Sequence, residues 1–281
     1  MSHPADLPLD TRFRLGAEIS EEQRSFLNHH GFLHFEQVVA EAELEQMLAE
    51  VESLHSSWVQ SRRSHINGIP VFFGRGPDGG PFIHRFAFTS LFCEAIRQLV
   101  QDERFEPIRQ LIGADARVGE QEKDGVVFNR YINARGSLYK RLGWHTDGLR
   151  DIFYGRMPQQ MLNVGLHFDH CTRADGGLRL IPGSHDQGFL AMCLAKPYFV
   201  WHRPDNQEIC VETRPGDVTI HDGRLWHRVA RSSKTGPGSL RRSMYVPYLT
   251  GPYEPKDEHS ATPPYHRLGV ALRALRGKIG Q

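Results

Sequence analysis

Between residues 117 and 249 the chain is a succession of short β-rich runs with no helix-periodic stretch between them, which limits the fold more than any other feature. The runs cover 126–133, 161–168, 177–181, 208–211, 217–221 and 241–249. Asp175-Gly176-Gly177, Pro182-Gly183 and Pro215-Gly216-Asp217 punctuate them with residues that favour turns. Strands joined without helices pair antiparallel and must bury one face. The expected core is therefore two packed sheets, a double-stranded β-helix or jelly roll.

Helices are expected before this core and in the tail after it. Ser20-Glu21-Glu22-Gln23 has the form of a capping box, opening a helix with Phe26 and Leu27 on its apolar side that stops at Gly31. Phe32-Leu33-His34-Phe35 then reads as extended. A second helix over 42–60 carries Leu44, Met47, Leu48, Val51 and Leu54 at three- and four-residue spacing, so one face packs inward. A third helical stretch is expected over 91–111, ending near Gly113. The fold class is thus mainly β with flanking helices (α+β), in a single domain over 1–281. Its helical part covers 19–115, its jelly-roll core 117–250 and its tail 251–281. Within the tail, 268–279 reads as a short basic amphipathic helix docked outside the barrel.

A hydrophobic fraction of 39% supplies a sizeable core, and 34 basic against 33 acidic residues leave no global charge to recruit nucleic acid or an anionic membrane. The expected partner is a small-molecule substrate. Four cysteines without C-x-x-C spacing read as reduced thiols, and no run is long and apolar enough to span a bilayer or direct secretion. The expected location is the cytoplasm.

In Trp144-His145-Thr146-Asp147 an imidazole and a carboxylate stand at i and i+2, which on a strand share one face. A third ligand must come from elsewhere, and His221 and His227 both follow the turn at Pro215-Gly216-Asp217. Two histidines and one carboxylate on one octahedral face leave three positions open, an arrangement suited to non-haem iron(II) oxygen chemistry. Zinc hydrolysis could use the same donors.

Several features recur in one order. Gln23, Phe26 and Gly31-Phe32-Leu33 come first, then His145-x-Asp147, then Asp175-Gly176-Gly177-Leu178-Arg179-Leu180-Ile181-Pro182-Gly183-Ser184-His185. Pro215-Gly216-Asp217, His227 and Arg241 follow. Over roughly 19–250 this order resembles the phytanoyl-CoA dioxygenase family of iron(II)- and 2-oxoglutarate-dependent oxygenases. The resemblance implies iron held by His145, Asp147 and His227 rather than His221, with 2-oxoglutarate and dioxygen as co-substrates. His185 is then structural. Arg241 and Ser243, at i and i+2 on one strand face, resemble the pair that grips the far carboxylate of 2-oxoglutarate in related oxygenases, with Arg242 facing outward.

Asn129 and Asn133 share a face with Tyr131 on an earlier strand and are expected to contact co-substrate or substrate. Relatives often carry an aromatic residue where this chain has Gly165, a departure expected to open the pocket, flanked by Asn163 and His167. Trp144 and Arg150 complete the expected substrate contacts. Because Asp147 is present, hydroxylation of an unactivated C–H, or another oxidation, is expected rather than halogenation. The basic residues Arg130, Arg135, Lys140, Arg141, Arg150 and Arg156 around the motif point to an anionic substrate. The competing readings are a cupin-like protein that binds metal or ligand without turnover, and the zinc hydrolase.

Overall fold

The computed structural model of the protein describes residues 7–266. Helix α1 (Glu21–His30) opens on the expected capping box: the Gln23 amide donates to the Ser20 hydroxyl at 3.2 Å and the Ser20 amide to Gln23 Oε1 at 2.9 Å. It ends at Gly31 and runs directly into β1 (Phe32–Phe35). Helix α2 (Glu41–Gln60) buries Leu44, Met47, Val51 and Trp58. Two hairpins absent from the sequence reading come next: β2 (His65–Ile66) with β3 (Ile69–Pro70), and β4 (Phe73–Arg75) with β5 (Pro81–Ile83). The short β6 (Arg85–Phe86) follows.

The third helical stretch is not continuous. It divides into α3 (Glu94–Val100) and α4 (Glu106–Arg109), interleaved with 3-10 turns at Thr89–Leu91, Glu103–Phe105 and Gln110–Ile112. The breaks have local causes. Asp102 accepts the Arg104 amide at 2.9 Å and starts a new turn, and Pro107 cannot donate to a preceding carbonyl, so it sits at the beginning of α4.

The remaining elements are β7 (Arg117–Val118), β8 (Val127–Tyr131), β9 (Leu142–His145), β10 (Met161–His167), β11 (Gly177–Leu180), α5 (Phe189–Leu194), β12 (Ile209–Cys210), β13 (Val218–Asp222), β14 (His227–Ala230) and β15 (Arg241–Leu249). They form a seven-stranded sheet in the order β1-β13-β10-β15-β8-β6, with β7 also on β15, and a four-stranded sheet in the order β12-β11-β14-β9. All pairings within these sheets are antiparallel, as a jelly roll requires. The basic helix expected over 268–279 lies outside the described residues. No helix among the described residues is long and apolar enough to cross a membrane.

Phe26, Phe32, Leu33, Phe35 and Met47, from the N-terminal elements, join Phe86, Phe128, Val164, Ile220 and Met244 of the large sheet in one buried cluster. Each such side chain contributes roughly 1.5–3 kcal/mol of burial, so the helices are held to the sheet by its outer face. Beneath them, Asp217 ties β1 to the turn before β13. Its carboxylate accepts the Arg214 amide at 2.8 Å and the Gln37 amide at 3.1 Å, and stands 3.0 Å from His34 Nε2.

Gly165 does not open the cavity. It pairs with Tyr245 across β10 and β15, and a Cβ built on it would lie 2.6 Å from Tyr245 Cε1 and 2.9 Å from Thr219 Oγ1. The tyrosine ring of the neighbouring strand occupies the space that the glycine leaves. We therefore expect Gly165→Val to lower unfolding stability by about 1–3 kcal/mol, the range for overpacking a core. In urea titrations the penalty should shrink in a Tyr245→Ala background, and equal penalties in both backgrounds would contradict this packing.

Candidate metal centre and its cavity

His145 is the last residue of β9 and His227 the first of β14, and the two are direct cross-strand partners. Their rings lie 4.1 Å apart between centroids. Asp147 is not on the strand, as the i, i+2 argument assumed. Its helical backbone (φ −74°, ψ −28°) opens the 3-10 turn Gly148–Tyr154, and the Gly148 amide is tied to Gly223 O at 2.7 Å. A strand end followed by a turn, rather than strand alternation, swings this carboxylate beside the imidazoles. The ligand atoms of His145, Asp147 and His227 all lie within 4.8 Å of one another, and all three residues are buried.

The protonation of this cluster suits a cation. His145 Nδ1 is 2.8 Å from Gly143 O, and His227 Nδ1 is 3.0 Å from Leu225 O. A carbonyl only accepts, so both Nδ1 atoms carry the proton and both Nε2 lone pairs are free. Burial lowers the His145 pKa to about 4 and holds His227 well below the usual imidazole range, so both are neutral at pH 7. Burial alone would raise the Asp147 carboxyl, but neighbouring Arg150, then His221, His227 and His145, hold it well below the usual range. Its Oδ2 accepts from Asn163 Nδ2 at 2.7 Å, and its Oδ1 pairs with Arg150 Nη2 at 3.0 Å.

His221 stands beside the cluster. Its ring is 4.3 Å from that of His227 and its Nε2 is 3.4 Å from Asp147 Oδ2, yet neither ring nitrogen has a hydrogen-bond partner among the described residues. Phe199 stacks on the other side of His145 at 4.6 Å. That contact depends on Gly143, whose Cβ would lie 2.2 Å from Phe199 O.

The cluster lies in a cavity of about 340 Å³, also lined by Asn129, Tyr131, Asn163 and Arg150 among the expected contacts. Trp144 is not there. It points into a separate buried cluster with Leu149, Ile181, Met192 and Trp226, donating to Arg203 O at 2.9 Å, because it alternates with His145 along β9. Asn133 is absent too, since it lies beyond the end of β8. Its Nδ2 donates to Ser232 O and Lys234 O, and its Oδ1 accepts from Arg231 Nε, which anchors the loop before β15.

His167, Arg241 and Ser243 line a smaller void of about 30 Å³ that shares Tyr131, Val229 and Tyr245 as walls with the larger cavity. His167 Nε2 is 2.9 Å from Thr219 Oγ1. Arg241 is buried and has no acidic partner among the described residues. Its Nη1 and Nη2 donate to Ala230 O at 2.9 Å and Lys140 O at 3.3 Å, while Nε has no hydrogen-bond partner among the described residues. Arg242 alternates with Arg241 along β15 and pairs with Asp169, and both of these residues also border the smaller void.

Of the six basic residues noted around the motif, only Arg141 and Arg150 line the cavity. Arg130 is spent on Glu52 at 3.1 Å and His55 at 2.7 Å, and Arg156 reaches Pro252 O and Glu254. Other lining residues had no sequence signal. Arg85 arrives on the edge strand β6, Lys123 and Asp124 in the loop before β8, and Tyr265 and His266 from the segment beyond the family-like region.

The profile of the family described as phytanoyl-CoA dioxygenase (PhyH) matches residues 27–235. The chain belongs to this family. A curated relative, the probable alpha-ketoglutarate-dependent hypophosphite dioxygenase of Stutzerimonas stutzeri, is 22% identical over 167 residues, which are 59% of this chain and 53% of that protein. The chain thus spans about half the length of this curated relative.

Solved structures share the fold at lower identity. EctD from S. alaskensis, crystallised with bound Fe, has a TM-score of 0.60 and 17% identity, covering 83% of this chain and 77% of that one. The non-heme alpha ketoglutarate dependent carbocyclase SnoK from nogalamycin biosynthesis has a TM-score of 0.58 and 19% identity, covering 84% and 86%. EvdO2 from Micromonospora carbonacea var. aurantiaca, complexed with 2-oxoglutarate, has a TM-score of 0.58 and 16% identity, covering 86% and 95%.

We expect the protein to take up one iron(II) per chain under anaerobic conditions and to show a weak visible charge-transfer band when 2-oxoglutarate is added. His145→Ala, Asp147→Ala and His227→Ala should each abolish that band. Its survival in His227→Ala would move the third ligand to His221.

Proposed function

We propose that the protein is an iron(II)- and 2-oxoglutarate-dependent dioxygenase that hydroxylates an unactivated C–H of a small anionic molecule. The observation that carries this reading is the juxtaposition of a buried two-histidine, one-carboxylate cluster with Arg241, a buried cation lacking an acid, across shared walls. The donor set fits iron(II), with two neutral imidazoles and one ionised carboxylate. Bound iron and 2-oxoglutarate would supply oxygen activation coupled to conversion of the co-substrate to succinate and carbon dioxide.

The chain's own residues bind, orient and exclude water. His145, Asp147 and His227 would hold the metal. Asn163 and Arg150 fix the Asp147 carboxylate by hydrogen bonding to its two oxygens. Burial of Arg241 without an acid disfavours its charge, and a carboxylate entering the smaller void would restore the balance, with Ser243 beside it. Phe199, stacked on His145, shields one side of the site from water.

Two features support the finer points of the reading. Asp147 fills the ligand position that iron halogenases leave open to chloride, which favours hydroxylation. Among the described residues Arg85, Arg141 and Arg150 line the cavity with Asp124 and Asp147, and the lining Lys123 is paired with Asp151, which leaves a positive excess and favours an anion. The named substrate of the curated relative, hypophosphite, is also anionic. The four cysteines are free thiols, in keeping with a reducing, cytoplasmic setting. A binding protein without turnover would have no use for a buried carboxylate anchor, and neither would a zinc hydrolase.

We expect oxygen-dependent succinate release that requires both iron(II) and 2-oxoglutarate. Arg241→Ala should raise the 2-oxoglutarate requirement by two orders of magnitude or more, since losing one partner of a buried charged pair costs about 3–5 kcal/mol. Arg242→Ala should leave it nearly unchanged, because the Arg242 guanidinium is already paired with Asp169. Equal effects of the two substitutions in a steady-state titration of 2-oxoglutarate would overturn the assignment of the anchor.

A further inference from the structure

Arg85 and Arg150 reach the same cavity from different elements and converge on one acid. Arg85 Nη2 is 2.7 Å from Asp124 Oδ2, and Arg150 Nη1 is 3.4 Å from the same oxygen. The other oxygen, Asp124 Oδ1, accepts from Tyr265 Oη at 2.9 Å and lies 3.5 Å from His266 Nε2. One carboxylate therefore serves two guanidinium groups. The second acid touching Arg150 is Asp147, whose charge a bound metal would claim. Lys123, also lining the cavity, is matched by Asp151 at 2.8 Å, so it does not add to the imbalance.

Two donors are left over. Arg85 Nη1 and Arg150 Nε are buried and have no hydrogen-bond partner among the described residues. Buried guanidinium N–H groups are seldom left unmet, because the lost hydration is not replaced. The Arg85 side chain keeps 10% of its surface exposed and lines the cavity.

We infer that Arg85 and Arg150 form an oxyanion-binding subsite that takes the carboxylate or phosphate-type group of the substrate, with Asp124 as the brace that holds both guanidinium groups in place. This rests on the proposed oxygenase reading, and it adds where the substrate's charge sits. It also links two events through one side chain. Arg150 contacts the metal-ligand carboxylate with Nη2 and leaves Nε for the anion, so an anion on the subsite immobilises the residue that orients Asp147.

The test is anaerobic isothermal titration of the iron(II)- and 2-oxoglutarate-loaded protein with inorganic phosphate, methylphosphonate and acetate, with glycerol as the neutral control. The charge-transfer band is recorded on the same samples. We expect at least one of the three anions to bind one per chain. Its affinity should fall tenfold or more in Arg85→Gln, fall less in Arg85→Lys, and stay unchanged in Arg242→Gln, while the band persists in all four proteins. The subsite is refuted if none of the anions binds, if glycerol binds as well as they do, or if Arg85→Gln binds as wild type does, as it would were the anion sitting on iron. Should Arg85→Gln fail to fold, Arg85→Lys decides, and wild-type affinity in that variant refutes the subsite. Absence of the band from the wild-type protein would instead defeat the oxygenase reading, and the same titrations would still report on the arginines.

Discussion

The pairing of β14 with β9 is the contact on which the rest of the site depends. It sets His227 directly across from His145, and the register shift after His227 lets β14 leave the ladder without carrying its first residue away. Each imidazole is then oriented by a carbonyl two residues earlier in its own chain, Gly143 for one and Leu225 for the other. The short β-bulge and the two local hydrogen bonds together aim two unprotonated nitrogens at one point. Asp147 reaches that point only because β9 stops at His145 and the chain turns.

Charge burial explains the surroundings of this cluster. An ionised carboxylate as enclosed as Asp147 is unfavourable unless it is hydrogen-bonded and paired. Asn163 from β10 and Arg150 from the following turn answer that need on its two oxygens. Arg150 in turn requires Asp124, and Asp124 draws in Arg85, Tyr265 and His266. A chain of compensation thus runs from the large sheet to the segment after β15, and it ends with more positive than negative charge facing the cavity. The excess resides in guanidinium groups, two of which, Arg85 and Arg150, are half-buried and braced by Asp124.

The large sheet contributes in a different way. Its outer face is sealed by α1, α2 and the other N-terminal elements, which leaves its inner face to carry polar residues such as Asn129, Asn163, His221 and Ser243. Gly165 and Tyr245 show how finely that inner face is filled: the ring from β15 lies over the glycine of β10 and separates the metal cavity from the void at Arg241. Tyr131 and Val229 complete the partition, so a ligand touching both the metal cluster and Arg241 must run along these three side chains.

Much of this was legible in the amino-acid sequence because the relevant physics is local. The capping box at Ser20 and Gln23, the helical spacing of Leu44, Met47 and Val51, the short β runs broken by glycine and proline, and the opposite facing of Arg241 and Arg242 all follow from the periods of helix and strand. The order of motifs carried the family. Other features were set only by the tertiary structure. Trp144, Asn133 and His167 lie near the cluster in sequence or strand phase but point elsewhere, because packing chose which neighbour each would meet. The family resemblance already preferred His227 to His221, and the structure adds the physical difference: His227 on β14 lies directly across from His145, whereas His221 on β13 lies across from Asn163. Arg85, Lys123, Asp124, Tyr265 and His266 carried no sequence signal at all. The period of an element tells which side chains share a face, but which faces meet across the barrel is decided by long-range packing, and the cavity exists only where they meet.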